Sequence, residues 1–183
     1  MIETNIDVVM ERLCPYLDIY DQILRHGHDT FKRYPTDLAV ELDASTQAHI
    51  TFRHILAEAH RKFDGATDVR HFEINRQNLW QFSGANAIVR FKKTDEDGIS
   101  SNYPTRQAMA FDQGDELPDL PAAPTRLTIG YLLDATGMEY VRSQVSLPDK
   151  SGTIWCAAII PANEREADQQ PWREVSRNLR LAV

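Results

Sequence analysis

The stretch Thr125–Ile160 reads TRLTIGYLLDATGMEYVRSQVSLPDKSGTIWCAAII, and its pattern decides the fold class. Leu127, Ile129, Tyr131 and Leu133 alternate with smaller or polar residues, the period-2 signature of a strand with one buried face. Asp134-Ala135-Thr136-Gly137 and Pro148-Asp149-Lys150-Ser151-Gly152 are short connections ending in glycine, so Thr125–Leu133, Met138–Leu147 and Gly152–Ile160 are expected as consecutive antiparallel strands.

Working back toward the N-terminus, Val69–Ile74, Leu79–Phe82 and Asn86–Lys93 are three further strand candidates. Before Asp68 the period changes to that of a helix. Val9, Leu13, Tyr16, Tyr20 and Ile23 recur in steps of four and three, with Pro15 kinking or dividing the helix and Gly27 supplying a stop. Asp43 is placed to cap a second helix that carries Ala48, Phe52, Ile55, Leu56, Ala59 and Phe63 and ends at Gly65. The irregular stretch Thr94–Pro124 holds one short helix, Thr105–Gln113, and a linker spaced by Pro118, Pro121 and Pro124.

The expected fold is therefore α+β, an N-terminal helical pair packed on a mostly antiparallel sheet of four to six strands. Residues 1–68 form the helical part and 69–161 the sheet of the same domain. Residues 162–183 form a charged tail, with Trp172, Val175 and Leu179 available to dock a short helix.

Charge and composition narrow the function. The 183 residues carry 20 Lys and Arg against 27 Asp and Glu, a net charge of −7, which disfavours bulk binding of duplex DNA. Up to Asp68 the balance is 7 − 12 = −5 and beyond it 13 − 15 = −2, so the acidic excess is concentrated in the helical part. No apolar run is long enough to span a membrane and the N-terminus lacks a signal-peptide pattern, so a cytoplasmic location is expected. Cys14 and Cys156 are far apart and belong to no CxxC pair, and both read as reduced thiols in a core.

The six histidines, His26, His28, His49, His54, His60 and His71, all lie in the first 71 residues, but no two stand three or four apart. Neither a metal nor another cofactor is expected. No Ser lies in a G-x-S-x-G elbow, and Asp95-Glu96-Asp97-Gly98 departs from the calcium-loop pattern at Ile99, Ser100 and Arg106. Whether the protein is an enzyme stays open.

The most specific local feature is a basic strand. Ala87, Val89 and Phe91 point one way, which puts Arg90 and Lys92 with Ile88 on the other face. Downstream, Asn102, Tyr103, Thr105 and Arg106 add donors, an aromatic ring and the start of a helix. These six residues, Arg90, Lys92, Asn102, Tyr103, Thr105 and Arg106, are the candidate anion- or partner-binding set. The alternative is that Arg90 and Lys92 pair with the acidic loop Asp95–Asp97 and a facing strand.

The segments IVRFKKTDEDGISSNYPTRQ (88–107) and LTIGYLLDATGMEYVRSQV (127–145) resemble an uncharacterised family of small bacterial proteins. Members of that family occur near genes for helix-turn-helix repressors and zinc-peptidase-like regulators, in mobile-element or defence neighbourhoods. The resemblance implies a toxin, antirepressor or defence accessory and assigns no site residue. Two functions follow as expectations. One is a regulatory or defence-associated binding protein acting through a protein partner that meets the acidic helical part. The other is a metal-independent RNA-directed toxin or ribonuclease-like enzyme that holds phosphates on Arg90, Lys92 and Arg106, with Tyr103 stacking on a base. A free basic strand face favours the second, a covered one the first.

Overall fold

The computed structural model describes residues 2–74, 76–100, 106–112, 124–150 and 152–176, with the side chains of the 106–112 helix described from Met109 onward. Its helices are α1 (Ile6–Leu13), α2 (Leu17–Lys32), α3 (Thr36–Val40), α4 (Ala44–Phe63) and α5 (Arg106–Asp112). Its strands are β1 (Val69–Ile74), β2 (Gln77–Phe82), β3 (Ala87–Lys93), β4 (Thr125–Leu133), β5 (Tyr140–Asp149), β6 (Gly152–Ile159) and β7 (Trp172–Glu174).

The strands lie in one sheet in chain order, β1 to β7. Every neighbouring pair is antiparallel except β3 and β4, which run parallel from Ala87↔Thr125 to Lys93↔Tyr131. A parallel pair cannot be joined by a hairpin, and residues 94–124, which include α5, supply the crossover.

Among the described residues the sheet has seven strands rather than four to six. The additional one, β7, falls in the segment expected as tail or helix, and three residues are too few to show an alternation. Trp172 anchors it by burying its indole opposite Ile159.

Asn5 caps α1 by accepting from the amides of Asp7 and Val8, and Asp43 caps α4 through the amide of Thr46 at 2.7 Å. Pro15 divides the first helix at a 3-10 turn, Cys14–Tyr16. The apolar stripes of α1, α2 and α4 then bury Leu13, Leu17, Tyr20, Ile23, Leu24, Ile55 and Ala59 against one face of the sheet. There they meet Phe82, Phe91, Leu127, Ile129 and Val145, and each fully buried large side chain contributes about 1.5–3 kcal/mol. Leu127, Ile129, Tyr131 and Leu133 do face the helices, as the alternation predicts.

Gly27 does not stop a helix. It lies inside α2, where a Cβ would stand 2.3 Å from Ile55 Cγ1 and 3.1 Å from the Thr51 carbonyl oxygen. The glycine serves a close approach of α2 to α4. The opposite sheet face is covered as well. Phe111 of α5 packs there on Leu79 and Ile88, and Ser146 donates to the Gly98 carbonyl at 2.8 Å from beneath the 94–100 loop.

Candidate functional site

The basic strand is not an open surface. Arg90 is 3% exposed, donates to Thr128 Oγ1 at 3.1 Å and pairs with Asp112 Oδ1 at 2.5 Å. Its guanidinium lies 4.4 Å from the centre of the Phe111 ring, and its Nη1 is buried with no hydrogen-bond partner. Burial pushes the Arg90 pKa down and, as the largest cause, raises that of Asp112.

Lys92 is half-buried, and its ammonium lies 5.8 Å from the Phe52 ring centre. Burial first, and Arg90 second, lower its pKa. Arg106 opens α5 with its side chain outside the described residues, and Asn102, Tyr103 and Thr105 also lie outside them. Of the six candidates, Arg90 and Lys92 are therefore the two whose side chains can be placed. Arg90's partner is Asp112, on α5, rather than the acidic loop. That loop is organised on itself, with Asp95 Oδ1 accepting from the amides of Asp97 and Ile99.

The helical side of the sheet contains a cavity of about 390 Å³. It lies between the C-terminal half of α2, α3, the N-terminal half of α4 and the β4–β5 hairpin. Phe31, Val40, Ala48, Leu133 and Met138 give it apolar walls, while Lys93 and Tyr131 come from the sheet. The adjoining surface is apolar as well, since Leu38 is 54% exposed, Val40 77% and Met138 56%.

Several polar contacts fix these walls. His28 is buried with Nε2 3.1 Å from the Met138 carbonyl oxygen, which ties α2 to the hairpin. Lys32 pairs with Glu139 at 2.6 Å, and Tyr34 OH lies 2.9 Å from His54 Nε2. Gln47 donates to the carbonyls of Ala39 and Leu42 and so holds α3 against the start of α4. In the hairpin, Asp134 accepts from the Glu139 amide, the Thr136 hydroxyl and the Met138 amide, contacts that lower its pKa to about 2.

Behind the cavity a buried polar network locks α2 to β5. Ser143 donates to Asp21 at 2.6 Å, Arg25 Nε lies 2.9–3.0 Å from both Asp21 oxygens, and Tyr140 OH is 2.5 Å from Ser143 Oγ. Tyr140 stacks on Tyr131 at 6.3 Å between ring centres, so the network also sets the sheet wall of the cavity. No family model, curated protein or solved structure matches the chain. The chemistry of the site therefore follows from its own geometry.

Sequence reasoning passed over the cavity residues. Lys93 had a signal of its own, because alternation places it on the same face as Val89 and Phe91, a cation at the end of an apolar stripe. Its neighbour Tyr131 could not be paired with it, since that pairing depends on the register of the parallel strands. Another contact hidden from spacing is His60 against His71, ring centres 4.4 Å apart beside Trp80. Among the described residues, no group of three or more His, Cys, Asp or Glu is placed to hold a metal ion.

Proposed function

We propose that the protein is a small regulatory binding protein whose working site is the cavity between α2, α3, α4 and the β4–β5 hairpin. The observation that carries this reading is the cavity itself. Its volume of about 390 Å³ falls within the range of about 300–1,000 Å³ typical of small-molecule sites, and its walls are mainly apolar with a few polar groups. Binding is favoured over turnover because His28, Lys32 and Tyr34 are engaged by Met138, Glu139 and His54, and among the described residues no carboxylate lines the cavity to complete an acid–base pair.

The regulatory and defence-associated character comes from the resemblance carried by 88–107 and 127–145. The acidic excess of the helical part suits a protein partner with a basic surface, where charge sets encounter rate and partner choice. The RNA-directed alternative needs Arg90 free, and its pairing with Asp112 under Phe111 argues against that use. Cytoplasmic residence agrees with two unpaired cysteines, Cys14 and Cys156. Among the described residues no helix is long and apolar enough to cross a membrane.

Titration with the neutral apolar dye Nile red tests the reading. Saturable one-to-one fluorescence enhancement is expected in the native protein. It should be lost in Ala48→Trp and Ala44→Trp, each of which fills the cavity and is checked for folding by its thermal melt. Absence of saturable binding, or equal binding by both folded variants, overturns the assignment.

A further inference from the structure

The cavity is unusual in its charge. In a chain with 27 Asp and Glu, the lining contains neither among the described residues, yet it contains Lys32, Lys93 and the buried His28. Lys32 already has a counter-ion in Glu139, which is outside the lining, and His28 already has the Met138 carbonyl. Lys93 has no ion-pair or hydrogen-bond partner among the described residues, and the same holds for the Tyr131 hydroxyl.

The sheet brings these two together. Lys93 and Tyr131 are register partners across the parallel β3–β4 pair and face the same side. Adjacent strands run about 4.8 Å apart, so these two side chains leave neighbouring strands on one face, and both line the cavity. Tyr131 is 2% exposed, and burial raises its pKa to about 12, so it remains a hydrogen-bond donor at neutral pH. Two adjacent donors, one of them cationic, in a lining that also holds Phe31, Val40, Ala48 and Leu133, match a group that is singly negative and accepts through two oxygens.

We infer that the cavity binds a monocarboxylic acid with an apolar tail, its carboxylate held by Lys93 and Tyr131 and its tail packed among Phe31, Val40, Ala48 and Leu133. This assignment rests on the cavity being the working site and goes further by naming the ligand class. A carboxylate suits the site better than a phosphate ester. A dianion would call for a second unpaired cation, whereas Lys32 is already paired with Glu139, and the short helix α3 lines the cavity with Thr36, Ala39 and Val40 rather than with charge.

The test is displacement of bound Nile red by three ligands of equal chain length: decanoate, decanol and decylamine. Decanoate should compete at a concentration at least about tenfold below that of decanol, with decylamine the weakest, because a charge-assisted pair adds to the same tail burial. Lys93→Met should abolish the preference for decanoate over decanol, Lys93→Arg should retain it, and Tyr131→Phe should reduce it severalfold. Since Lys93→Met places an apolar chain at the end of an apolar stripe, its fold should hold, which its thermal melt checks. Equal affinity of decanoate and decanol in the native protein, or a preference that survives Lys93→Met, overturns the acid assignment with the cavity reading intact. Failure of Nile red and decanol alike overturns the cavity reading itself.

Discussion

Replacing Arg90 removes more than a charge. Its guanidinium bonds to Thr128, pairs with Asp112 and lies over Phe111. Truncation to Ala would leave a part-buried Asp112 carboxylate without that pair and a gap beneath Phe111. Breaking a buried pair from one side costs about 3–5 kcal/mol, against about 0–1 kcal/mol for an exposed surface pair. Arg90→Ala should therefore lower stability by roughly 3 kcal/mol or more, read from the urea midpoint at unchanged slope. Arg90→Met, which keeps an apolar stem against Phe111, should lose less. A loss below about 1 kcal/mol in Arg90→Ala would mean that the pair is energetically a surface one. Strand alternation correctly puts Arg90 opposite Val89 and Phe91. It cannot reveal that α5, reached only through the crossover, would cover that face.

Among the elements, the pairing of α2 with α4 depends on one missing methyl group. A Cβ at Gly27 would clash with Ile55, whose side chain is fully buried and whose backbone nitrogen would stand only 3.0 Å from it. Alanine gains about 1 kcal/mol in helix propensity over glycine, whereas forcing apart a packed interface costs about 1–3 kcal/mol. Overpacking should win, so Gly27→Ala should lower the Tm, and Gly27→Val should lower it further. A rise in Tm for Gly27→Ala would show that the interface adapts. The main helices and strands β1 to β6 were legible because each obeys a local rule: steps of three and four around Tyr20 and Ile55, alternation at Leu127–Leu133, and a capping Asp43. Gly27 was misread because a glycine in a helical stretch looks locally like a terminator, and Ile55 belongs to another helix. The same limit hid the cavity, whose walls come from elements far apart in the chain.

For the molecule as a whole, the response to acid can be assigned a sign. Burial, with His71 second, holds His60 below the ordinary 6.5, so the unfolded chain takes up more protons than the folded one as pH falls through that value. Stability should decline with acid from there. Glu58, held below 4.5 mainly by its bond to Arg61, and Asp134, lowered from 3.8 to about 2, extend the decline, since their stabilisation is present above those ordinary values and lost beneath them. Asp112, raised chiefly by burial, acts in the opposite direction and offsets part of the carboxylate effect. The Tm should thus fall between about pH 7 and pH 5.5, before most carboxylates titrate, and His60→Gln should flatten that first step. An identical slope in the variant would assign the step to another histidine.

The strand order of the sheet also has a temporal meaning. As the chain leaves the ribosome, each new strand finds the neighbour it needs already made, so the sheet can grow from one edge without rearrangement. The helices are less fortunate, because α1, α2 and α4 emerge before any strand against which they pack. At about 5–20 residues per second, synthesis from Phe63 to Leu147 takes roughly 4–17 s. During that delay the closest burial open to Ile23, Leu24 and Ile55 is the helix pair seated on Gly27, which makes the nascent N-terminal segment a natural client for chaperones.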